Sequence, residues 1–274
     1  MSIIYINPYQ LAAPWSPAEI ITELWLDAAD ASTITESGGL VSQWDDKSGN
    51  GRNASQGNSV LQPTYLLTGF NGKPTIETDG ADVLELGATS LGRNVGGITA
   101  AIVGVHPVTA SFNNNANEFF ISTGATDTST RFAFTPNPSA STSNRYAIAG
   151  RRLDADAYET VSSSTDSVAN SGNPWIRVAQ ISYSSGVANH WTNGTQDLTS
   201  EPLQTTGVTS DIDSLKSTVF NDRTLPAGSQ LCEIVLTHSV MATADRQKLE
   251  GYLAHKWGLT ATLPAGHPYK NVAP

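Results

Sequence analysis

The chain has 274 residues, 39% hydrophobic, 8% aromatic and only 15% charged, with a formal net charge of -10. That length holds one large β sandwich or two small domains, and the composition excludes a coiled coil or a disordered chain. The excess of acid speaks against nucleic acid and against insertion at an anionic membrane surface, since both demand Lys and Arg.

Ser, Thr, Asn and Gly carry most of the polarity, which suits the outer faces of strands and the turns between them. Cys232 is the only cysteine. No intrachain disulfide can form, and its place in the apolar run Leu231 to Leu236 makes a buried, inert thiol the expected state. Met1 to Gln10 has neither a basic cluster nor a continuous apolar stretch, and no run of about 18 apolar residues occurs. The expectation is a protein made in a host cytoplasm without a signal peptide.

Residues 1–20 are punctuated by Pro8, Tyr9, Pro14, Trp15 and Pro17, which disfavour helix and predict an extended N-terminal arm. That arm either packs its aromatics on the parent domain or docks on a neighbouring subunit. From residue 21 to 274 the pattern is a single domain of short strands divided by turn signals. Predicted strands are Leu24 to Leu26, Leu40 to Trp44, Pro63 to Leu67, Pro74 to Thr78, Val83 to Leu86 and Ile98 to Val105. They continue at Glu118 to Ser122, Arg131 to Thr135, Arg145 to Gly150, Trp175 to Tyr183, Ala188 to Thr192, Leu215 to Phe220 and Gln230 to His238. Asn71-Gly72 and Asp79-Gly80 read as tight turns, and Ser184-Ser185-Gly186 as a hairpin loop. Trp25, Trp44 and Trp175 are assigned to the core. Ala242 to Trp257 breaks the rhythm: Leu249, Leu253 and Trp257 recur every four residues beside Tyr252. Thr243 is the expected cap, Asp245 suits the first turn, and Gly258 suits the left-handed exit. The fold class expected is all-β, an antiparallel two-sheet sandwich with one C-terminal helix.

Three blocks together resemble the laminin-G-like branch of the concanavalin A-like lectin/glucanase superfamily. The first runs from Leu24-Trp25-Leu26-Asp27 through Trp44-Asp45-Asp46-Lys47-Ser48-Gly49-Asn50-Gly51 and Gln62-Pro63-Thr64-Tyr65 to Asp79-Gly80. The second is Trp175-Ile176-Arg177-Val178-Ala179 with a hairpin into Trp191-Thr192-Asn193-Gly194. The third joins Cys232-Glu233-Ile234 to Leu249-Glu250-Gly251-Tyr252-Leu253-Ala254-His255-Lys256-Trp257-Gly258-Leu259 and Leu263 to Tyr269. This last block is similar to virion proteins of tailed phages, prophages and gene transfer agents. The resemblance implies a jelly roll with sugar binding at a concave face or rim. It also implies a place on a virion surface or tail, with the arm reaching other virion proteins and copies assembling on the particle. The superfamily holds glycosidases, lectins and structural modules, so the fold alone does not choose between them.

Glycosidase chemistry needs two carboxylates roughly 5–5.5 Å or 6.5–9.5 Å apart. Glu77-Thr78-Asp79 ends at a turn glycine, Asp154-Ala155-Asp156 has no aromatic lead-in, and Asp211-Ile212-Asp213 is loop. A Gly-x-Ser-x-Gly elbow is missing, and the histidines show no metal spacing. The expectation is therefore a non-catalytic carbohydrate-binding protein, with a structural decoration or spike-assembly subunit as the alternative and a glycoside hydrolase third. For a chain so poor in charge, Arg145, Arg151, Arg152, Asp154 and Asp156 crowd together. Alternation along a strand places Arg151 and Arg152 on opposite faces, and an arginine fork suits sugar hydroxyls or saccharide carboxylates. A local ion-pair network is the other reading. Tyr158 could stack on a sugar, and of His190 and Trp191 one faces the core and the other solvent or a ligand. The candidate ligand-binding set is thus Arg151, Arg152, Asp154, Tyr158, His190 and Trp191. Asp45, Asp46 and Asn50, with Asn53, supply hard oxygens of the kind Ca2+ takes, or else cap their own turn.

Overall fold

The structure, a computed structural model, describes residues 14–108, 117–124, 129–135, 146–163, 172–202, 206–220 and 225–274. In chain order these form β1 (Leu24–Asp27), β2 (Ile34–Ser37), β3 (Leu40–Trp44), β4 (Ala54–Ser55), β5 (Thr64–Leu66) and β6 (Thr75–Thr78). They continue with β7 (Leu84–Glu85), β8 (Gly97–Val105), β9 (Phe119–Ser122), β10 (Thr130–Thr135), β11 (Ala147–Gly150) and β12 (Glu159–Ser162). The last are β13 (Trp175–Ser182), β14 (Val187–Thr192), β15 (Thr195–Pro202), β16 (Lys216–Val219), β17 (Ser229–Thr237) and the helix α1 (Thr243–Trp257).

The strand pairings are antiparallel. The first sheet runs β15-β14-β13-β8-β17, and the outer edge of β17 takes β1 along Glu233 to Leu236 and β6 along Ser229 to Leu231. The second runs β12-β11-β10-β9-β16-β7-β4-β3-β2. β5 joins the two at a corner by pairing with β3 and β6. The chain is an all-β, jelly-roll-like sandwich with one helix. β2, β12 and β15 lie at sheet edges and are polar, which is why alternation did not reveal them.

Trp44, Ile98, Ile102, Phe119, Phe132, Phe134, Trp175 and Ile234 fill the space between the sheets. Their neighbours along the first sheet, Trp25, Ala101, Val103, Ile176, Val178, Cys232 and Val235, meet Leu249, Leu253, Ala254 and Trp257 of α1. The first sheet is therefore covered on both faces. That is the physical reason Ala100 to Val103 reads as an unbroken apolar run rather than an alternating one. Cys232 is buried as expected, and burial followed by the charge of Glu233 pushes its thiol pKa up.

The helix ends as its sequence requires. Gly258 takes the left-handed conformation at φ 71, Leu259 N–H reaches Ala254 O at 2.7 Å, and Asn71 Nδ2 donates to Trp257 O at 2.7 Å. Its start differs from expectation. Ala242 is the cap residue and makes no side-chain cap bond, while Thr243 is already helical. Asn193-Gly194, at φ 50 and 74, joins β14 to β15 as a tight hairpin turn. Residues 1–13 of the arm lie outside the described residues. The described part folds back on the parent domain: the Trp15 ring is 5.9 Å from Tyr252, edge-on, and the Trp15 backbone N–H reaches Pro274 O.

A buried carboxylate fastens helix to sheet. Glu233 Oε1 accepts from Trp25 Nε1 at 2.8 Å and Tyr252 Oη at 3.0 Å, and Oε2 from Trp257 Nε1 at 2.7 Å and Lys256 Nζ at 2.8 Å. Replacing Glu233 with Ala leaves these donors without an acceptor in a dry interface. The unfolding free energy in urea titrations should drop by about 3–5 kcal/mol; a change below about 1 kcal/mol would show that the helix is held by packing alone.

Candidate functional site

Both outer faces of the sandwich are closed at their centres. α1 covers the first sheet. On the second, Thr218, Phe120, Ala133 and Ala149 align across β16, β9, β10 and β11, and all are buried. The candidate site therefore lies on the rim, where β10 begins and β11 ends.

β11 stops at Gly150, where a Cβ would come 2.2 Å from the carbonyl oxygen of Arg131. Arg151 N–H still bonds Thr130 O at 3.1 Å, and then the chain turns, Asp156 N–H reaching Leu153 O at 3.1 Å and Leu153 N–H reaching Asp156 Oδ2 at 3.0 Å. Arg151 and Arg152 are thus past the strand, and the expectation that alternation sends them to opposite faces does not apply. Arg145 lies outside the described residues.

Arg131, fully buried on β10, organises the turn. Its Nη2 donates to Asp154 Oδ1 at 2.6 Å and Ser210 Oγ at 2.9 Å, its Nη1 to Ser129 O at 3.0 Å, and Thr123 Oγ1 adds a bond to Asp154 at 3.1 Å. Partial burial works to raise the Asp154 pKa, but the hydrogen bond and charge of Arg131, helped by Thr123 and Ser129, hold it below the usual carboxylate range. Asp154 is a positioning group held by Arg131. Arg131 was not singled out in the sequence, although its place in a β10 stretch otherwise filled by Phe132, Ala133 and Phe134 was the available signal.

The outward groups are Arg151, Arg152 and Tyr158. The Arg151 guanidinium sits 5.2 Å from the centre of the Tyr158 ring, which is 39% exposed. Its Nη1 makes long bonds to the carbonyls of Asp154 at 3.4 Å and Asp156 at 3.3 Å. Arg152 places Nε 3.4 Å from Asp156 Oδ2. It lies along Gly207, at φ +129, where a Cβ would make ordinary van der Waals contact with Nη1 at 3.5 Å.

His190 and Trp191 belong to neither this rim nor any open surface, which corrects the expectation that one of them faces solvent or a ligand. Trp191 points into the interface below α1, with the Arg246 guanidinium 4.2 Å from its ring. His190 points between the sheets, and both sides of β14 are covered. Its Nε2 accepts from Arg177 Nε at 3.1 Å and its Nδ1 faces Asp197 Oδ1 at 2.6 Å, which fixes a neutral ring protonated at Nδ1. Arg177 also binds Glu118 Oε2 at 2.6 Å, and Glu118 Oε1 meets His106 Nε2 at 2.9 Å. The Arg177 guanidinium is 3.9 Å from the Tyr146 ring centre. Sequence reasoning missed this array. The clue was Arg177 in an apolar strand at the same parity as Trp175, which aims it into the core.

The residues proposed for calcium do not fit a cation. Asp46 Oδ1 accepts from Trp25 N at 3.0 Å and Ser48 N at 2.9 Å, and Oδ2 from Ser48 Oγ at 2.7 Å and Arg52 N at 3.1 Å. Asp45 Oδ1 accepts from Gln43 Nε2 at 2.6 Å, and Asn53 Oδ1 from Asp46 N at 2.9 Å. Asn50 turns its NH2 group, a donor, toward Thr22 O, Glu23 O and Ser48 Oγ. These side chains close their own turn. Among the described residues no cluster of His, Cys, Asp and Glu has the form of a metal site.

No family model matches the sequence, and no curated protein matches it. Solved structures do. The chain is similar to domain 4 of AbnA, a GH43 extracellular arabinanase from Geobacillus stearothermophilus, solved with arabinotriose. The TM-score is 0.55 at 12% identity, over 84% of this chain and 98% of that one. It is also similar to the Trypanosoma rangeli sialidase, with a TM-score of 0.55 at 8% identity, over 85% of this chain but only 32% of the sialidase. A third neighbour is the binding domain of Paraclostridial mosquitocidal protein 1, with a TM-score of 0.56 at 10% identity, over 86% of this chain and 53% of that one. At such identities the likeness establishes a shared β-sandwich fold.

The buried array makes stability depend on pH. Burial lowers the His190 pKa more than Asp197 raises it, and burial likewise lowers that of His238, whose Nε2 accepts from Gly92 N. Burial works to raise Glu118 and Asp197, but the charge of Arg177 with the His106 bond, and the His190 bond, leave both lowered. In each case the unfolded state binds the proton more tightly, so the stabilisation is complete above the unfolded pKa and lost as pH falls. The urea midpoint should decline below about pH 6.5 through the histidines and more steeply below about pH 4.5 through the carboxylates. His190→Gln should shrink the upper step, leaving the share of His238; an unchanged upper step would show that His190 does not titrate with unfolding.

Proposed function

We propose that the chain is a non-catalytic carbohydrate-binding module whose sugar contacts are Arg151, Arg152 and Tyr158, with Asp154 holding the turn that presents them. One observation carries this reading: a half-exposed tyrosine ring on the rim has a guanidinium fixed beside it that is not neutralised by a carboxylate. A ring face takes the C–H face of a sugar, and the adjoining N–H groups take its oxygens. The fold shared with a domain solved with arabinotriose supports it. Absence of catalysis is part of the proposal, because the buried carboxylates are committed to donors. Glu118 is bound by Arg177, Asp197 by His190, Glu233 by Lys256 and the tryptophans, and Glu250 by Arg246 at 2.5 Å.

The setting proposed is a virion surface or tail, from the likeness of the Leu249 to Tyr269 block to phage, prophage and gene-transfer-agent proteins. A shallow rim site binds weakly, and repeated copies on a particle supply avidity. The test is a glycan array probed with the full chain displayed multivalently. Wild type should be retained on a subset of glycans, and Tyr158→Ala should weaken that retention about three- to tenfold. Folded wild-type protein that is retained by no glycan would defeat the proposal and leave a structural decoration subunit in its place.

A further inference from the structure

We infer that the rim site takes an acidic saccharide, one bearing a carboxylate as uronic and sialic acids do, with Arg151 and Arg152 as the groups that bind that carboxylate. This rests on the sugar-binding reading above and adds the chemical class of the ligand.

The inference comes from how the arginines are paired. Acidic residues outnumber basic ones 25 to 15. Every other arginine among the described residues has found a close carboxylate: Arg52 with Glu23 at 2.8 Å, Arg93 with Asp211 at 2.7 Å, Arg131 with Asp154 at 2.6 Å, Arg177 with Glu118 at 2.6 Å and Arg246 with Glu250 at 2.5 Å. Among the described residues Arg151 has none, and the single ion pair of Arg152 is end-on through Nε at 3.4 Å. Nor are these two arginines freely solvated. Arg152 is only 22% exposed, and in both residues Nε is shielded from water without a hydrogen-bond partner. A partly buried cation without a full counter-charge, as Arg151 is and as Arg152 is in part, is costly unless a ligand supplies the charge.

The neighbouring carboxylates are already engaged. Asp154 is held by Arg131 and Thr123, and Asp156 Oδ2 accepts from Leu153 N. They shape the turn, and each guanidinium has a planar donor geometry that matches a carboxylate. Tyr158 is placed to take the ring of the same sugar. The net charge of -10 gives no long-range attraction for a polyanion, so selection acts at contact distance, within the screening length.

Calorimetry on the full chain with two matched pairs tests this: α2,3-sialyllactose against lactose, and trigalacturonate against its fully methyl-esterified form. The acidic member of at least one pair should bind about ten- to a hundredfold more tightly, the range for charge-assisted hydrogen bonds. Arg151→Gln combined with Arg152→Gln, checked for folding by its melting temperature, should erase that preference. Equal or tighter binding of the neutral members overturns the inference, as does a folded double variant that keeps the preference. Should the double variant not fold, the wild-type pairs decide alone. If neither pair binds but a neutral glycan on the array does, the acidic class falls and the sugar-binding reading stands. If no glycan binds at all, both fall.

Discussion

The carboxylate of Glu233 is the point on which the architecture turns. It lies in a dry layer between the first sheet and α1, where an ionised group is tolerated only if its lone pairs are filled. Two indoles, a phenol and an ammonium fill them, and these come from β1 and from the last turns of α1. From there charges alternate toward the surface. Lys256 also meets Asp27 at 2.6 Å, Asp27 meets Lys47 at 2.8 Å, and Lys47 meets Asp30 at 2.8 Å. Lys47 draws the Asp30 pKa down to about 2. Segments far apart in the chain are thereby locked in one register, and a helix shifted by a turn would leave the carboxylate unpaired. The helix in turn closes the outer face of β8, β13 and β17, which would otherwise expose Ile176, Val178 and Val235.

A second buried array lies on the other side of the same sheet. Arg177 links Glu118, His190 and the carbonyl of Ala147, while Tyr146 and Phe134 flank its guanidinium. It ties β13 and β14 to the start of β9 and of β11 across the sandwich. Strands clamped at this depth give the rim a rigid base, and Arg131 extends the same device to the point where the turn at 153–156 leaves the sheet. The local geometry of Arg151 and Arg152 is therefore set by buried polar bonds and not by the loop alone.

Periodicity showed the strands that have a covered face. Leu40 to Trp44 is a strand with those bounds, and Ile98 to Val105 misses only Gly97. It did not show β2, β4, β12 or β15. Ile34-Thr35-Glu36-Ser37 and Thr195-Gln196-Asp197-Leu198 carry little apolar signal because they are edge or rim strands, and edge strands are kept polar to prevent pairing with other chains. The arginine-rich segment was legible as an anomaly of composition. Its geometry was not, because what excludes a side chain at Gly150, the close approach of the Arg131 carbonyl, comes from another strand. His190 and Trp191 were misjudged because alternation assumes one open face, and the helix had removed it from this sheet. The calcium reading failed for a related reason: Asp and Asn in a turn look the same in sequence whether their oxygens point at an ion or at backbone N–H groups.

The two closed faces also bear on how a sandwich of this kind comes to bind at its rim. A groove across the second sheet would need Phe120, Ala133 and Ala149 open to solvent, and they are buried. Past the end of β11 the chain has side chains that packing does not fully claim. There the donors that cost most to leave unmatched are the guanidiniums of Arg151 and Arg152. Glu233 and Glu118 show what this chain does with a charge it means to keep inside, surrounding it with short hydrogen bonds from several elements. Arg151 differs: half-buried beside Tyr158, it is joined among the described residues to two carbonyls at 3.3 and 3.4 Å and to no carboxylate, and that is the charge the proposed ligand would supply.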